Sequence, residues 1–133
     1  MAALTKDRNT PQRLGEVHNH PVAASSVIFA GSIVVLDSSG NAEAGSTATG
    51  LKAVGRADQH VDNGAGSAGD KAIDVRKGTF LFANDGSIDR TDIEATAYIV
   101  DDQTVANTDD TGSRSAAGKI VDVDVDGVWV KFD

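Results

Sequence analysis

Apolar residues along most of this chain recur at every second position, which predicts strands rather than helices. Residues 1–15, MAALTKDRNTPQRLG, show neither period, and Pro11 interrupts any helix there. From Glu16 onward β-branched residues dominate: Val17, Val22, Val27-Ile28-Phe29 and Ile33-Val34-Val35-Leu36, closed by the turn cluster Asp37-Ser38-Ser39-Gly40-Asn41. Lys52–Val61 predicts a strand of mixed polarity, and the glycine-rich run Asp62–Asp70 predicts a loop. Lys71–Lys77 alternates and Thr79–Ala83 follows Gly78, so a strand pair or bent strand is expected with that glycine as its bulge or corner. Ala95–Val100 and Gln103–Ala106 read as two further strands, followed by a polar loop over Asn107–Ala117.

The strongest local signal lies at the end. Gly118–Phe132 alternates on both sides of Asp126-Gly127 and predicts a hairpin with a two-residue turn of the primed type. In that register Asp122 and Asp124 point outward while Val121, Val123 and Val125 point inward. Trp129 and Tyr98, the single tryptophan and tyrosine, fall in alternating strands, where core packing is the default. The one helix-like cue is Thr91-x-x-Glu94, with capping-box spacing, which supports one turn at most. Seven to nine short strands at this spacing predict an all-β fold, a small β-barrel or β-sandwich with little or no helix. An extended N-terminal arm over 1–15 precedes a single β domain over 16–133.

Composition narrows the class. At 133 residues and with 5% aromatics the core is modest, so association with a partner adds much to stability. No cysteine is present, which excludes disulfides, thiolate metal sites and a thiol nucleophile. No stretch approaches the roughly 18 apolar residues of a membrane span, and no apolar segment of secretory type opens the chain, so cytoplasmic synthesis is expected. Net charge is −8 and unevenly spread. Residues 1–83 balance eight acids with eight bases, whereas residues 84–126 hold eleven acids against Arg90, Arg114 and Lys119. Such an acidic half repels phosphate, and nucleic acid is not an expected partner.

Three patterns resemble chemistry by their letters. Asp122-x-Asp124-x-Asp126-Gly127, with Asp133 twelfth, fits a calcium loop, but that loop needs flanking helices and here both flanks are strands. Gly64-x-Gly66-x-x-Gly69 matches a dinucleotide fingerprint, yet no helix follows to present its N–H groups to a phosphate, so a surface loop is expected. His18 and His20 share one face of a strand, where an exposed edge or interface strand is expected rather than a metal site; His60 is the third histidine. No catalytic grouping, metal or cofactor is expected.

Five segments in order resemble one family over about nine tenths of the chain: LTKDRNTPQR at 4–13, GSIVVLDSSGNAEAGSTATGLKAVGRADQHVDNGAG at 31–66, GDKAIDVRKGTFLFAN at 69–84, AYIVDDQTVANTD at 97–109 and RSAAGKIVDVDVDGVWVKF at 114–132. They are similar to the small capsid decoration, or cement, proteins of the heads of tailed bacteriophages. The resemblance implies a β-rich body on the outer face of the major capsid protein lattice, often as a homotrimer, with an N-terminal arm reaching across the shell. It implies a non-enzymatic structural virion protein, made in the host bacterial cytoplasm, that stabilises the expanded head against internal DNA pressure. No catalytic residues come with it. Lys6, Arg8 and Arg13 are the expected arm cations, pairing with capsid carboxylates. The alternative is a virion-displayed receptor- or glycan-binding module of a tail or fibre, whose signature is clustered exposed Trp, Tyr and Arg.

Overall fold

The computed structural model describes residues 2–10 and 15–133. Among them are twelve strands and one turn of 3-10 helix, so the fold is all-β. In chain order they are Val17–Pro21 (β1), Ser26–Ile28 (β2), Ile33–Leu36 (β3), Ala42–Ala44 (β4), Lys52–Ala57 (β5), Val61–Asn63 (β6), Ala72–Arg76 (β7), Gly78–Asn84 (β8), Thr96–Ile99 (β9), Thr104–Ala106 (β10), Ala116–Asp124 (β11) and Gly127–Phe132 (β12).

The first seven strands build one half. β1, β7, β5, β3 and β4 form a sheet in that order, and β2 pairs with β6 as a separate ribbon. The sheet curls until its ends meet: Val22 bridges Ala42, and the Ala23 N–H donates to the Ala42 carbonyl at 2.9 Å. The second half is a closed five-stranded barrel, β10-β8-β12-β11-β9. Gly78, at φ +148°, is the corner where the chain leaves the sheet at β7 and enters the barrel at β8.

The halves share β3. Ile33 and Val35 belong to a core with the barrel residues Phe82, Ile99, Ile120, Val128, Val130 and Phe132. Val34, facing the other way, joins Val22, Ile28, Ile73 and Val75 in the second core. Both faces of the strand are covered, which is why its sequence is continuously apolar. Each such buried valine or isoleucine contributes about 1.5–3 kcal/mol by leaving water. Polar bonds also cross the seam: Ile33 N donates to Asp102 O at 2.8 Å, Thr47 Oγ1 to Val100 O at 2.7 Å, and Ser115 Oγ to Ala48 O at 2.7 Å.

Several expectations are corrected by the strand pairing. β6 takes Asp62 and Asn63 out of the expected glycine loop, because both pair with β2. The three-residue β4, AEA, carries too little periodicity to be seen in advance. The helical turn is Arg90–Asp92, and its capping box is Asp89 with Asp92, not Thr91 with Glu94. The hairpin is present, but Asp124 pairs with Gly127, leaving Val125 and Asp126 as its loop. Neither loop residue has positive φ, so the turn is not of the primed type; the positive angle falls on Gly127, at +146°. The Asp124 Oδ1 accepts the Asp126 N–H at 2.8 Å and closes the turn from the side.

Candidate interaction site

Register decides which side chains face outward on the barrel. β11 slips between Ile120 and Asp122 against β12, inserting one extra residue at Val121. Ile120 is fully buried, so the next valine points outward, 40% exposed, and the extra residue keeps Asp122 on that outer face as well. Val125, on the turn, is 99% exposed. Of the three valines expected inside, only Val123 packs against the core. The extra residue cannot be read from alternation, because Ile120-Val121 merely looks like two adjacent core positions.

Trp129 is likewise not a core residue. Val128 and Val130 point into the barrel, so Trp129 lies on its outer face, half-buried, opposite Leu81 of β8 and Asp122 of β11. Leu81 is itself 39% exposed. The indole Nε1 donates to Asp124 Oδ2 at 3.1 Å. That bond, and then the Asp126 N–H, hold the Asp124 carboxyl below its ordinary range. The outcome is an apolar strip of Leu81, Trp129 and Val121 on the outside of the barrel, bordered by Asp122, Asp124 and Asp126 of the acidic segment. Asp122 also takes an exposed ion pair from Arg90 at 3.3 Å.

Tyr98 faces outward too, between buried Ala97 and Ile99. It opposes Ala116, whereas Trp129 opposes Asp122 six residues along the same strand. At about 3.3 Å per residue the two rings sit roughly 20 Å apart and form no common platform.

The arm cations are placed as follows. Lys6 and Arg8 lie in residues 2–10, all exposed and in neither strand nor helix. Arg13 lies outside the described residues. No hydrogen bond or ion pair ties residues 2–10 to the body among the described residues, and Leu4 is 72% exposed. A bend at Thr5–Lys6 leaves an open hollow of about 540 Å³ between Leu4 and Thr10, belonging to the segment alone. The arm joins the body where Lys77 N donates to Glu16 O at 2.7 Å and Lys77 Nζ to Asp133 O at 2.6 Å. Its root is thus at the far end of β12 from the hairpin turn.

The remaining sequence patterns resolve into structure. His18 and His20 share a face of β1, the end strand of the sheet, against Val75 and Ile73. Burial first, then the neighbouring His18 and Lys77 charges, lower the His20 pKa. His60 stacks instead on Phe29, ring centroids 5.1 Å apart. Phe29 is 60% exposed beside an open hollow of about 420 Å³ lined also by Ser32, Asp102 and Gln103. Among the described residues no three histidine, aspartate or glutamate side chains gather to hold a metal ion. In the glycine-rich loop a Cβ on Gly66 would stand 2.0 Å from Asn63 Oδ1, so packing against this buried amide accounts for that glycine.

No protein-family model, no curated protein and no solved structure matches this chain.

Proposed function

We propose that this chain is a non-enzymatic structural protein of a virion, seated on the outer surface of a major capsid protein lattice and stabilising the expanded head against the pressure of packaged DNA. The observation that carries the reading is the contrast between body and arm. The body closes on two apolar cores that share one strand. Residues 2–10 lie off it with Leu4, Lys6 and Arg8 unengaged by it. A basic segment with an exposed leucine, on an otherwise acidic body, suits a strap that orders only against a neighbouring protein. Arg13 completes its set of cations.

The mechanism is mechanical. Each subunit bridges a seam in the shell and covers apolar surface that the bare shell leaves in water. A standard-sized contact has tens of kcal/mol of gross hydrophobic drive at about 25 cal/mol per Å², most of it offset by association and ordering. A small surplus per site, repeated over a shell, raises the pressure needed to rupture it.

Co-sedimentation with expanded, undecorated capsids tests the reading. The full chain is expected to pellet with the shells, and a chain lacking residues 2–14 to lose most of that binding. Full occupancy without the arm would remove its role as the strap.

A further inference from the structure

We propose that the strip on the outside of β8, β12 and β11 is the docking site for the N-terminal arm of a second copy of this chain. This rests on reading the arm as an intermolecular strap, and it names the strap's partner.

Side-chain chemistry matches on the two surfaces. The strip offers Leu81, Trp129 and the bulged Val121 as apolar ground, with Asp122 and Asp124 along one side. The arm offers Leu4, then Lys6 and Arg8. Laid out as a strand, residues 4, 6 and 8 fall on one side of the chain at steps of about 7 Å. Asp122 and Asp124 pair with Trp129 and Gly127 without a slip between them, so they too share a face at a step of about 7 Å. Leucine over Leu81 and Trp129, level with Asp122, sets Lys6 level with Asp124 one step on, with Arg8 beyond it toward Asp126. The Trp129 indole holds the Asp124 carboxylate from below, so this anion is fixed before a partner arrives. Asp122 bonds Arg90 and the Val123 N–H through Oδ1, leaving Oδ2 for an incoming cation.

A second copy is the occupant because the arm leaves the strip of its own chain uncovered: residues 2–10 are exposed and make no bond to it in the single chain. The arm is rooted at the opposite end of β12 from the hairpin turn. Arms exchanged between copies close a ring when the rotation is cyclic.

Light scattering on a sizing column, without capsids, tests this. The full chain is expected at an integral multiple of 13.7 kDa, shrinking toward that single-chain mass at high salt. The double variant K6E/R8E, whose changes lie off the body and leave its melting unchanged, is expected at the single-chain mass. Mixing it with a D122K/D124K chain, shown folded by its circular dichroism, should restore association between the two species. A full chain that runs at single-chain mass, or an oligomer indifferent to K6E/R8E, overturns the proposal. Arm-dependent capsid binding would survive that failure, and only its loss would count against the function proposed above.

Discussion

Asn63 is a polar side chain buried to 2% exposure whose amide nitrogen donates to Ala23 O and Ser67 O, both at 3.0 Å. It ties the glycine-rich loop to the start of the fold. Losing these bonds exposes two buried carbonyls, so Asn63→Ala is expected to cost about 2–4 kcal/mol in chemical denaturation. Gly66→Ala forces a methyl onto the same amide and should cost about 1–3 kcal/mol. Because the first change removes the obstacle to the second, the double variant should be more stable than the sum of the two predicts. Additive costs would mean that the two residues do not touch.

Two side chains of the first half contribute to acid sensitivity. Asp58 accepts from Arg56 Nη2 at 2.8 Å and from Arg76 Nε at 3.1 Å. The Arg56 hydrogen bond, with the Arg76 charge behind it, lowers its pKa. The folded chain therefore gives this group up to a proton less readily than the unfolded chain. Its stabilisation is complete above the ordinary carboxylate range and fades as pH falls through the lowered folded value. His20 has the same sign: its neutral form is favoured in the fold, so its contribution is complete above the ordinary value of 6.5 and fades below it. Stability measured against pH should fall in two stages on the acid side. His20→Gln is expected to flatten the upper stage and Asp58→Asn the lower.

At the scale of elements, β3 and the terminal hairpin were legible because their residues obey one simple period. The continuous run Ile33-Val34-Val35 required cover on both sides, and two cores supply it. What stayed hidden was whatever register alone decides. The extra residue in β11 lets Ile120 and Val123 both face inward with Val121 and Asp122 outward, while Val125 lies in the turn, so neither Val121 nor Val125 faces inward as expected. Trp129 was assigned to the core by its type, whereas its neighbours Val128 and Val130 already fill the inward positions of β12. Hence the strip, the most distinctive part of the candidate site, was invisible in advance. Residues 2–10 have no period at all, and they form neither strand nor helix. The outward placement of Val121 is open to test: Ile120→Ala should cost about 2–5 kcal/mol, and Val121→Ala should stay within about 0.5 kcal/mol. Equal costs would mean that Val121 is buried as Ile120 is.

For the whole molecule, charge and closure set the behaviour. The acidic surplus of residues 84–126 falls largely on the barrel half, while the arm is locally basic. A body already closed on its cores holds together without the arm, so an arm deletion should shift its melting little while removing association. That separation of stability from binding is what distinguishes a strap from a structural strand.

The most direct measurement is an electron-microscopy map of intact particles that contain this polypeptide. The account predicts a two-lobed β density on the outer surface of the head, repeated with the symmetry of the shell and joined by thin arm density to its neighbours. Particles whose head exterior is bare, with this chain found in the tail or inside the shell, would contradict it.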